Sequence, residues 1–85
     1  MSKLDKLIAR FLSHPKDFTY DELKKILTAF GYIEFTKGKT SGSGVAFIQP
    51  ETKHIIRLHK PHPGKILKAY QVNLVADELK KLNLL

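Results

Sequence analysis

The residues of this 85-residue chain that could do chemistry are four histidines, fifteen basic side chains and one loop of small polar residues. The loop runs Lys37-Gly38-Lys39-Thr40-Ser41-Gly42-Ser43-Gly44 and leads into Val45-Ala46-Phe47. Glycine lets the backbone approach a ligand closely and take positive φ angles. Serine and threonine add hydroxyls, and lysine adds point charges. This is suitable equipment for holding a phosphate. It is not a Walker loop, because the spacing and the Gly-Lys-Ser/Thr ending are absent. A plain hairpin loop would use the same residues, so both readings stand at this point.

The histidines are His14, His54, His59 and His62. An imidazole titrates near neutral pH and is the usual acid or base where RNA is cleaved without a metal. In that reaction a base takes the 2′-hydroxyl proton, the oxygen attacks phosphorus, and an acid protonates the leaving 5′ oxygen. A cation nearby stabilises the charge that gathers on the phosphoryl oxygens. Arg57, His59, Lys60 and His62 lie together in sequence. They supply candidates for both roles: His59 and His62 as catalytic groups, Arg57 and Lys60 as phosphate contacts. Lys37, Lys39, Ser41, Ser43 and Gly44 of the loop join them as candidate RNA-binding residues. A solvated basic strand end is the plain alternative. His14 precedes Pro15 and reads as a loop residue. A metal site is not expected: His54 and His59 point to opposite faces of a regular strand, and no carboxylate stands at a ligand-like spacing from them. No cofactor is expected either.

These groups need a frame. An 85-residue chain makes one domain with a modest core. Its 42% apolar content is ordinary for a globular fold. Fifteen Lys+Arg against eight Asp+Glu give a formal net charge of +7, which favours an anionic partner such as nucleic acid. The absence of cysteine rules out disulfides, thiolate nucleophiles and cysteine metal sites, and fits a cytoplasmic protein. The first ten residues carry Asp5 and basic side chains among their leucines, unlike a signal peptide, and no run is apolar enough for a membrane span.

Leu4, Leu7, Ile8, Phe11 and Leu12 recur at helical spacing and predict a helix over residues 3–13. Pro15 ends it. Thr19 with Glu22 forms a predicted capping box, and Phe18 with Leu23 a predicted hydrophobic staple. Leu23, Ile26, Leu27 and Phe30 then give the buried stripe of a second helix, with Gly31 at its C-terminal cap. From Tyr32 the period becomes two, so residues 32–37, 45–49 and 54–59 read as strands, with a tight turn over 50–53. In the third strand Ile56 and Leu58 face one way, and Ile55, Arg57 and His59 face the other. Residues 60–64, Lys-Pro-His-Pro-Gly, cannot continue the ladder. Val72, Val75, Leu79 and Leu82 mark a last helix of about residues 70–82. Lys24-Lys25 and Lys80-Lys81 lie on helix faces opposite the apolar stripes. The order α-α-β-β-β-α suits an α+β fold: a three-stranded antiparallel sheet with helices on one face.

Residues 20–32, Tyr-Asp-Glu-Leu-Lys-Lys-Ile-Leu-Thr-Ala-Phe-Gly-Tyr, followed by the Gly-Ser loop and Val45-Ala46-Phe47, resemble the start of HicA toxins. Pro50-Glu51-Thr52-Lys53-His54-Ile55-Ile56 and Leu58-His59-Lys60-Pro61-His62-Pro63-Gly64 resemble their ending. The resemblance covers residues 18–84, and residues 1–17 look like the extra N-terminal helix of one branch of such proteins. It implies a fold like a double-stranded-RNA-binding domain. It also implies a type II toxin that cleaves mRNA without a metal, and a HicB-like antitoxin that covers the active surface. One departure matters. The family's typical Gly-Ser-His, whose histidine is catalytic, is here Gly42-Ser43-Gly44. Two readings follow. Either the acid–base role has moved to His59 or His62, or the chain is a catalytically inactive RNA-binding or protein-interaction module on the same fold.

Overall fold

The computed structural model describes residues 2–35, 44–59 and 64–85. Its elements are α1 (Lys3–Leu12), α2 (Tyr20–Ala29), β1 (Ile33–Phe35), β2 (Gly44–Gln49), β3 (His54–His59) and α3 (Ala69–Lys81), in the expected order. Reciprocal caps start the first two helices. The Thr19 hydroxyl accepts from the Glu22 amide while the Glu22 carboxylate accepts from the Thr19 amide, and Ser2 and Asp5 do the same for α1. Such a cap satisfies two amides that the helix leaves without partners. At the other end of α2, Gly31 takes φ +87, which its lack of a Cβ permits. The Gly31 amide then donates to the Thr28 carbonyl and the Tyr32 amide to the Leu27 carbonyl, a Schellman motif. This explains why β1 starts one residue later than the period-two pattern predicts: the Tyr32 amide belongs to the helix cap. Residues 36 and 37 of the predicted strand lie outside the described residues.

The sheet has order β1-β2-β3, and both pairings are antiparallel. In the turn after β2, the Lys53 amide donates to the Gln49 carbonyl at 2.7 Å. Gln49 therefore pairs with His54, and every later pair of the β2–β3 ladder is fixed. One face of the sheet carries Val45, Phe47, Ile56 and Leu58, all buried. Against it pack Leu23, Ile26 and Leu27 of α2, and Val72, Val75, Ala76 and Leu79 of α3. Burying one such side chain stabilises by about 1.5–3 kcal/mol, against about 0.5–2 kcal/mol for a helix cap, so the shared core outweighs the caps. The described helices thus cover one face only, and the fold is α+β, as the order of elements predicts, and double-stranded-RNA-binding-domain-like, as the resemblance implies.

α1 joins the same core through Phe11, whose ring centroid lies 5.3 Å from that of Phe18. Arg10 on α1 reaches Asp17 at 2.6 Å and Glu22 at 3.1 Å, and lies over the Phe18 ring. The segment before α3 is tied to the start of α2: the Tyr20 amide donates to the Lys65 carbonyl and the Leu67 amide to the Phe18 carbonyl.

Candidate functional site

The register of β2 and β3 builds the site. Gly44 pairs with His59, Ala46 with Arg57, and Ile48 with Ile55. Across the other ladder Phe35 pairs with Ala46 and Ile33 with Ile48. Side chains alternate along a strand, so these residues share the face that the helices leave open. Ile33, Phe35 and Ile55 are 60%, 56% and 44% exposed there. A shallow cleft of about 520 Å³ is shared by Phe35, Ala46, Arg57 and His59.

Directly paired residues of an antiparallel ladder have Cβ atoms about 4.5–5.5 Å apart. His59 is therefore the immediate cross-strand neighbour of Gly44, on the face where the predicted alternation puts it. A Cβ added at Gly44 would meet nothing within 4 Å among the described residues, which leave the space beside His59 open. The backbone of His59 is held from below. Gln71, 5% exposed, donates from Nε2 to the His59 carbonyl at 2.9 Å and accepts at Oε1 from the Lys68 amide at the start of α3. Arg57 makes no ion pair among the described residues. An imidazole and a guanidinium thus stand side by side on an open face. One can take or give a proton, and the other can neutralise a phosphoryl oxygen.

The remaining expected site residues fall differently. Lys37, Lys39, Ser41, Ser43, Lys60 and His62 lie outside the described residues. His54 faces the helices, opposite to His59, as the strand pattern predicts. It bridges two elements: the Tyr32 hydroxyl lies 2.8 Å from Nδ1, and Nε2 lies 3.2 Å from Glu78 Oε2 on α3. A proton on Nε2 serves both contacts, with Tyr32 donating to Nδ1 and Nε2 donating to Glu78. Burial, and secondarily the Glu78 charge, raises the Tyr32 hydroxyl pKa above its ordinary value. Among the described residues no cluster of three His, Asp or Glu could hold a metal. No described helix is long and apolar enough to cross a membrane.

A second polar group ties α2 to β1. The Tyr20 hydroxyl donates to Glu34, which also receives Lys24 at 3.3 Å. Burial first, and then the bond to Glu34, raises the Tyr20 hydroxyl pKa far above its ordinary value. Lys25, Lys80 and Lys81 are exposed, as expected of helix faces opposite the core.

Two residues of the site escape sequence reasoning. Phe35 ends β1, and its face depends on pairing across a long loop. Gln71 sits among apolar neighbours of α3 and reads as an ordinary helix residue. The signal that bears on Phe35 is that Ile33, Phe35, Ile48 and Ile55 leave apolar residues on the face opposite the core.

The family model described as the HicA toxin of bacterial toxin-antitoxin matches residues 20–84. No curated protein and no solved structure gives a significant match. The matched stretch takes in α2, all three described strands and α3, which are the elements that build the open face, and it stops short of α1. On that match the chain belongs to the HicA toxin family, whose members pair with an antitoxin.

Proposed function

We propose that this chain is an RNA-directed toxin that cleaves mRNA without a metal, with His59 as its acid–base residue. The observation that carries the reading is the pairing of Gly44 with His59. The resemblance puts the family's histidine at position 44, and the neighbouring strand brings another imidazole to the same place. In the proposed reaction His59 takes the 2′-hydroxyl proton, and the 2′ oxygen bonds to phosphorus. The bond from phosphorus to the 5′ oxygen breaks, and the leaving oxygen takes a proton from His62 or water. The products are a 2′,3′-cyclic phosphate and a 5′-hydroxyl. Arg57 neutralises the phosphoryl oxygens, helped by Lys60. Lys37, Lys39, Ser41, Ser43 and Gly44 cradle the neighbouring backbone. Acting on mRNA places the activity in the cytoplasm.

The proposed protein partner is a HicB-like antitoxin that covers the open face. The exposure of Ile33, Phe35 and Ile55 supports a covered state, since apolar side chains clustered at a surface mark interaction sites.

The test is incubation of purified protein with RNA in EDTA. Fragments ending in 2′,3′-cyclic phosphate are expected, and His59→Ala should lower the rate about 10²–10⁴-fold. Protein that binds RNA but leaves it intact over long incubation overturns the nuclease reading and leaves the binding module. Absence of any RNA binding at low salt leaves only a protein-interaction module.

A further inference from the structure

We infer that the open face of the sheet carries a subsite for one unpaired RNA base, held between the Phe35 ring and the Arg57 guanidinium. The inference rests on the RNA-directed reading above and names the form of RNA that the site takes.

Phe35, Ala46 and Arg57 form one row across the three strands. At 4.7–4.9 Å per strand the two outer backbones are about 9.5 Å apart. Ala46 between them has only a methyl group, and Gly44 beside it has no side chain. The row is therefore a trough with a low floor and two tall walls. One wall is an aromatic ring, 56% exposed on the face that the helices leave open. The other is a planar cation with no ion-pair partner among the described residues. Both groups stack on nucleobases, and stacking demands a base whose faces are free. A base inside a duplex has both faces occupied. The trough therefore selects unpaired nucleotides over the duplex that a double-stranded-RNA-binding-domain-like fold would suggest.

Charge argues for nucleic acid over a neutral partner. Among the described residues the cleft contains Arg57 and His59 and no carboxylate, on a chain of net charge +7. A base seated on Phe35 brings its phosphate toward Arg57 and His59, at the end of the cleft where Gly44 leaves room. The subsite would thus set which nucleotide lies next to the scissile bond.

The probe is a fluorescein-labelled 2′-O-methyl oligonucleotide of about 12 nucleotides, within the usual span of single-strand sites and resistant to 2′-hydroxyl attack. Its binding is followed by anisotropy, single-stranded or annealed to its complement. Wild type should prefer the single strand. Phe35→Leu keeps an apolar side chain but removes the stacking face. It should weaken single-strand binding about 5–150-fold with the salt slope unchanged. Arg57→Ala should weaken binding and also lower the salt slope by about one. Far-UV circular dichroism and thermal melting confirm that each variant is folded. Equal affinity of Phe35→Leu and wild type, or equal affinity of wild type for strand and duplex, overturns the subsite while leaving RNA binding intact. Wild type that binds neither probe at low salt overturns both the subsite and the RNA-directed reading.

Discussion

Replacing Gly44 by histidine would put an imidazole where the resemblance places the family's catalytic residue, and among the described residues the structure leaves room for the Cβ that the change adds. Gly44 is not among the glycines with positive φ, so its backbone suits any residue. A Cβ at this position would have no neighbour within 4 Å among the described residues. The control Gly44→Ala should therefore stabilise the strand by about 0.5–1 kcal/mol through lost chain entropy alone. For a domain of this size 1 kcal/mol shifts Tm by about 4–8 °C, so a rise of about 2–8 °C is expected. Gly44→His should gain a similar amount and add a second imidazole about 4.5–5.5 Å from that of position 59, measured between Cβ atoms. Two imidazoles at that separation can flank one phosphodiester, one removing a proton as the other delivers one. General acid–base catalysis contributes about 10²–10⁴-fold, which corresponds to about 2.7–5.4 kcal/mol off the barrier.

The assay is single-turnover cleavage of a labelled RNA in EDTA, at protein concentrations that saturate binding. Gly44→His should exceed Gly44→Ala by that factor and show a bell-shaped pH profile, because one imidazole must be neutral and the other charged. Adding His59→Ala to Gly44→His should remove one limb of the bell. If Gly44→His melts like Gly44→Ala, binds RNA equally and cleaves no faster, the open face at Gly44 and His59 is not where the chemistry occurs.

Gln71→Leu should cost about 1–3 kcal/mol by leaving the His59 carbonyl and the Lys68 amide without their partner, read as a lower melting temperature, and should lower cleavage beyond what equal destabilisation by a remote core substitution does. The raised Tyr20 hydroxyl pKa predicts alkaline destabilisation. The unfolded chain loses this proton near pH 10 while the folded chain retains it, so stability is full below about pH 10 and falls above it by about 1.4 kcal/mol per pH unit for each such tyrosine. Tyr20→Phe should remove one proton's share of that slope in melts between pH 10 and 11.5, and an unchanged slope would show that Tyr20 is not responsible.

The parts of the fold that could be read in the sequence are those set by local chemistry. Thr19 and Glu22 form the predicted box, Gly31 takes the predicted left-handed conformation, and β3 has the predicted ends. Local rules also split β3 correctly into a buried pair, Ile56 and Leu58, and an exposed set, Ile55, Arg57 and His59. The contacts between distant segments were not legible in this way. The Tyr32–His54–Glu78 bridge joins the end of a helix cap, the start of a strand and the last turn of α3, and no short-range pattern couples these. The Tyr20–Glu34 bond likewise depends on how α2 lies on β1.

The pairing of Gly44 with His59 lies between these cases. It is a long-range contact, yet a local feature determines it. Once the tight turn over residues 50–53 pairs Gln49 with His54, each step outward along the hairpin is forced, and the last step joins Gly44 to His59. A shift of one residue in that turn would send His59 to the core face and put Leu58 in the open. Burial of Leu58 and Ile56 opposes such a shift, at about 1.5–3 kcal/mol for each side chain exposed. The same hydrophobic pattern that holds the sheet to its helices therefore holds His59 beside the empty position at Gly44. A glycine at position 44 is therefore compatible with the proposed chemistry on this face: the next strand sets an imidazole beside it, and Gln71 hydrogen-bonds the backbone that carries that imidazole.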